Sequence, residues 1–114
     1  LMTPSKLNEK ELNQADRKKI ISALFQDFVI QHGQTALVML GRMPGTDGQL
    51  MTDPDPEAAK TLIDQLEMLR DKTRGNLIPE ERDLLDRSIA VLQKDFAKTM
   101  ESMAEAGSQE PIKG

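Results

Sequence analysis

Apolar side chains crowd most densely between residues 20 and 43, in the run IISALFQDFVIQHGQTALVMLGRM. Read at helical period, Ile21, Phe25, Phe28, His32, Thr35 and Met39 form one stripe, and Val29, Gly33, Ala36, Leu40 and Met43 form a second beside it. Two adjoining stripes are wider than the face a surface helix needs to meet one neighbour. A helix over about 19–43 with this much apolar circumference requires cover from more than one side.

Turn chemistry interrupts the chain after Met43. Pro44, Gly45 and Asp47-Gly48 stop the first helix and open a connection of about a dozen residues, long for a helical bundle. Leu50 and Met51 within it are expected to fold back on the helices; the alternative is a loop that meets a partner. A second helix is predicted over about 56–74, with Ala59, Leu62, Leu66, Leu69 and Thr73 alternating at spacings of three and four, and Ile63 widening the seam. Asp53 or Asp55 should cap it ahead of Pro at the first helical position. The alternating carboxylates of Asp53-Pro54-Asp55-Pro56-Glu57 also suggest calcium, but the Gly and distant Glu of a calcium loop are missing, so capping is the better reading. Gly75 supplies the stop, with Arg70, Lys72 and Arg74 beside the exposed carbonyls. Glu67 with Arg70, Glu57 with Lys60 and Asp83 with Arg87 are spaced to pair across a turn.

The third helix is predicted over about 79–103, where Leu85, Ile89, Leu92, Phe96, Thr99 and Met103 make another seam. At about 38 Å it outreaches the second helix, at about 29 Å, so its end should project past its hairpin partner or meet another subunit. Residues 1–18 read as a polar arm, disordered or forming a short helix, with Asn8 and Glu11 at capping-box spacing. Residues 105–114, with Gly107, Ser108 and Pro111, read as a disordered tail. The helical domain is thus 19–104, and the expected fold is all-α: three helices, the second and third an antiparallel hairpin, dimerising into a helical bundle.

A chain of 114 residues has room for one modest core, and small chains without other staples commonly gain stability by oligomerising. Cysteine is absent, which excludes disulfides and thiolate zinc sites and suits a reducing, cytoplasmic setting. A net charge of −4 and a pI near 5.0 argue against sequence-independent nucleic-acid binding. The three aromatics, all Phe, offer little for base stacking. No apolar run approaches the roughly 20 residues of a membrane span, and no signal-peptide pattern stands near the N-terminus, so no membrane partner is expected.

Two stretches together resemble a bacterial family known as domain of unknown function 1844. One is Thr35-Ala36-Leu37-Val38 with Leu40-Gly41 and Pro44. The other is Ile63-Asp64, Leu66, Met68-Leu69, Lys72-Thr73 and Gly75-Asn76-Leu77, followed by Glu80-Glu81 and Leu84-Leu85. The resemblance spans about residues 25–97 and implies a small helical bacterial protein with no activity to carry over. Arg42 stands where an acid is expected. Ile78 stands where Ser or Thr is expected, and with Pro79 at the first helical position it is a cap with no side-chain oxygen.

Candidate chemistry is sparse. His32 is the one imidazole and lies on an apolar stripe, where a satisfied core or interface histidine outweighs a ligand or general base. No motif joins a nucleophile to a base, and the Glu-x-x-His pairs of a di-iron bundle are missing. No catalytic, metal or cofactor residue is assigned. The expected function is a non-enzymatic interaction or structural module, a homo-oligomer and preferably a dimer, with room for a further protein partner. The interface candidates are Phe25, Phe28, Val29, His32, Gly33, Ala36 and Leu40 on the first helix, and Phe96, Met100 and Met103 on the third. Ala36→Asp is the disruption expected to break it. The alternative is an RNA- or ribosome-associated factor using the basic residues at 17–19 and 70–74.

Overall fold

The computed structural model describes residues 14–109. Among them are three helices and no strand: α1 (Gln14–Met39), α2 (Pro56–Lys72) and α3 (Pro79–Gln109). The fold is all-α, as the periodicity predicts. Two hydrogen bonds fix the directions of the helices. The Asp55 amide donates to the Met39 carbonyl at 2.8 Å, so the chain doubles back where α1 ends and α2 begins. The buried Thr99 hydroxyl donates to the Leu40 carbonyl at 3.0 Å, which brings the later part of α3 to the same end. Hence α1 and α3 run parallel, α2 runs against both, and each helix packs on the other two.

One apolar layer sits where the three helices meet. Val29 and Ala36 of α1, Ile63 and Leu66 of α2, and Leu85, Ile89 and Leu92 of α3 form its centre. Each set follows the three-and-four spacing of its helix, so the seams read in α2 and α3 are the ones that close the core.

The termini follow local chemistry. Gly41, at φ +71°, ends α1 in a Schellman arrangement, in which the Arg42 amide donates to the Leu37 carbonyl and the Gly41 amide to the Val38 carbonyl. The Asp55 carboxylate accepts from the Ala58 amide at 3.1 Å and caps α2 directly before Pro56. At α3 the capping box is half built: Glu81 reaches back to accept from the Ile78 amide at 3.0 Å, but Ile78 has nothing to offer in return.

Several boundaries differ from the sequence expectation. α1 begins by Gln14, inside the stretch 1–18 read as a polar arm, because Ala15, Arg17, Lys18 and Lys19 are good helix formers that extend a helix into water at little cost. It ends at Met39, before 43, since the Gly41 cap acts ahead of Pro44. α2 ends at Lys72 and not 74, with Thr73 as cap. α3 runs to Gln109, past 103 and through part of the expected 105–114 tail, because Met103-Ala104-Glu105-Ala106 favours helix more strongly than Gly107 opposes it. The Asn8 and Glu11 box and residues 110–114 lie outside the described residues. In the loop, Met51 is half-buried, but Leu50 stays 54% exposed and does not fold back as expected.

Candidate functional site

The first half of α1 carries the surface that the core does not absorb. From Val29 onward the row Val29, Gly33, Ala36 and Leu40 looks into the bundle and is buried there. These four interface candidates therefore belong to the protomer's own core. Gly33 does not serve as a notch for a close backbone either: a methyl added there would meet only Leu92 Cδ1, at 3.9 Å, an ordinary contact. Traced backward by turns, the same inward row passes through Gln26 and Ser22, whose side chains bond to each other at 3.1 Å and are only partly buried.

The opposite side of those turns is apolar. Ile20, Ile21, Leu24 and Phe28 each leave half or more of their surface exposed. Phe25 apart, polarity in these turns is thus reversed relative to an ordinary surface helix, with Ser22 and Gln26 toward the bundle and the four apolar side chains toward water. This face borders an open groove between the first half of α1 and the start of α3, lined by Ile20, Ile21, Ala23, Leu24, Ile78 and Glu81 among others. Phe25 is half-buried against the core. Ile20, Ile21 and Leu24 are absent from the interface candidates read from the sequence, although Ile21 lies on one of its stripes; the signal for them is the placement of Ser22 and Gln26 in line with Val29.

His32 closes the far edge of this face. Its Nε2 is 2.8 Å from the Gln65 Oε1, and its ring stacks on Phe28 with centroids 5.2 Å apart. This neutral amide partner orients the ring. Thr35 turns its hydroxyl onto the Gln31 carbonyl and stays within its own helix. At the other end of the molecule Phe96 packs on the core, whereas Met100 and Met103 are exposed. The structure therefore brings Phe28 and His32 together with Ile20, Ile21 and Leu24. Met100 and Met103 lie apart from them, Met103 in a hollow with Leu40 and Pro54.

Some of the charged groups are engaged in ion pairs. Arg70 meets Asp86 of α3 at 3.3 Å, and Arg74 meets Asp71 at 2.8 Å. Arg42, where an acid was expected, lies 3.7 Å from Asp95. The pairs expected between Glu67 and Arg70 and between Glu57 and Lys60 do not form. Glu67 instead accepts from Gln93 of α3, and Lys60 bonds to Asp64 at 2.9 Å, which holds its ammonium above the usual lysine range. Arg87 donates to the Asp83 backbone carbonyl at 3.4 Å and not to its carboxylate. Arg82, unremarked in the sequence, shares a hollow with Arg70, Arg74 and Asp86. Arg17, Lys18 and Lys19 are exposed, and Glu80 shares a groove with Lys18 and Lys19, while Asp86 and Asp71 pair with Arg70 and Arg74. Among the described residues no group of three or more acids and histidines is arranged to hold a metal. No described helix is long and apolar enough to cross a membrane.

A family model described as Domain of unknown function (DUF1844) matches residues 22–98. The chain belongs to this family. The DUF1844 match covers α1 from Ser22 onward, the whole of α2 and the core-forming part of α3, and it includes Leu24 and Phe28 of the exposed face. No curated protein and no solved structure matches the chain.

Proposed function

We propose that this protein is a non-enzymatic interaction module that self-associates, as a dimer, through the outer face of α1; Met100 and Met103, at the opposite end of the bundle, stand outside that contact. The observation that carries the reading is the reversed polarity of residues 20–28, where Ser22 and Gln26 take the inward positions and Ile20, Ile21, Leu24 and Phe28 the outward ones. Burying the exposed half of each of these four side chains is worth roughly 1 kcal/mol. That gain, doubled by symmetry, is of the same order as the freedom two molecules lose on association, so the dimer is expected to be reversible.

Gel filtration with light scattering tests the reading. The wild-type chain should show a mass above that of the monomer, and Leu24→Asp should return it to the monomer with its helix content intact. Ala36→Asp is not a usable probe, because Ala36 is wholly buried and a carboxylate there would unfold the protomer. A compact wild-type monomer would count against the proposal. RNA retention that weakens steeply with salt would instead support the RNA-associated reading through 17–19 and 70–74; the engagement of Arg70 and Arg74 with Asp86 and Asp71 counts against it.

A further inference from the structure

We propose that the partner of α1 is the α1 of a second copy, laid antiparallel about a two-fold axis that passes between Ile21 and Leu24. This rests on the self-association above and adds its geometry. Along the outer face, Arg17, Ile21, Leu24, Phe28 and Gln31 recur at alternating spacings of four and three, the spacing that sets one helix against another. Three apolar positions lie between polar ends, over a stretch of about 21 Å. Ile20 and Asp27 flank one edge of the strip.

The charges choose the direction. Arg17 stands at one end of the strip and Asp27 toward the other, both exposed. The Asp27 carboxylate accepts from Gln31 at 2.9 Å and meets no cation among the described residues. Two parallel copies would set Arg17 beside Arg17 and Asp27 beside Asp27, like against like. Two antiparallel copies, with Ile21 against the partner's Leu24, bring Arg17 over the partner's Phe28 ring and within a turn of the partner's Asp27. Symmetry then makes each contact twice. A closed, self-complementary pair of this kind needs no other surface. Seating the α3 end of one copy on α1 of the next would instead leave an open, repeating contact.

The chain has no cysteine, so single introduced thiols report the geometry cleanly. Leu24→Cys, near the axis, should cross-link to itself with a short bis-maleimide. Arg17→Cys should not link to itself, but should link to Asp27→Cys when the two are mixed. Self-linking of Arg17→Cys would overturn the antiparallel arrangement. An oligomeric mass by light scattering with no Leu24→Cys cross-link would overturn the α1 pairing while leaving self-association intact; a monomer at every concentration would overturn both. Arg17→Asp and Asp27→Arg should each raise the dissociation constant about tenfold, and the double swap should restore it to within about threefold. A double swap no better than either single would overturn the charge pairing.

Discussion

At Ile78 a single side chain leaves one helix start unfinished. Its amide is satisfied by Glu81, whereas the reciprocal bond, from the Glu81 amide, finds no acceptor in an isoleucine side chain. Ile78 is 48% exposed, so replacing it empties no core. Ile78→Thr should stabilise the fold by roughly 0.5–2 kcal/mol, measurable as a higher melting temperature. Three glycines make a second test, because their surroundings differ. Gly33 sits in mid-helix with room for a methyl, so Gly33→Ala should stabilise by about 0.5–1 kcal/mol. Gly41 combines positive φ with Pro54 Cγ at 3.2 Å and the Met51 carbonyl at 3.3 Å from an added Cβ. Gly48 has positive φ but open space. In urea denaturation Gly41→Ala should therefore lose more stability than Gly48→Ala, which should lose about 1 kcal/mol from backbone strain alone.

Helices α2 and α3 were readable because each has one apolar seam and a polar remainder, so the inward side is not in doubt. The Asp55 cap and the Gly75 stop were readable for the same local reasons. α1 was not, since apolar residues lie on nearly every side of its first half and periodicity alone offered two stripes. Burial decides between them: the Val29 row is inside, whereas Ile21, Phe28 and Thr35 of the other row are exposed and Phe25, His32 and Met39 are half-buried. Ion pairs were poorly legible, because residues such as Arg70 and Glu67 found partners on α3 in place of their own helix. The join between α1 and α3 also escaped the sequence, being a contact across 59 positions between Thr99 and the Leu40 carbonyl. Thr99→Val keeps the shape and removes the donor, and should destabilise by about 1–3 kcal/mol through the unsatisfied carbonyl at the end of α1. An unchanged unfolding midpoint would show that water replaces the bond.

Taken whole, the molecule closes one small core and leaves an apolar face on the half of α1 that runs past it. Ala36 and Leu24 separate the two roles. A charge at Ala36 should abolish the cooperative unfolding transition, whereas a charge at Leu24 should leave that transition in place and change only association, as circular dichroism and mass together would show. The N-terminal half of α1 should accordingly be the region whose amide exchange slows most as protein concentration rises. The most direct test is sedimentation of the wild-type chain beside Leu24→Asp over roughly 1 to 100 µM, the range a reversible pair of this size should cross. The expected result is a wild-type mass that climbs from 12.7 kDa toward twice that value while the variant stays at the lower one. A wild-type mass fixed at the monomer throughout, or a variant that climbs with it, would contradict the assignment of this face to self-association.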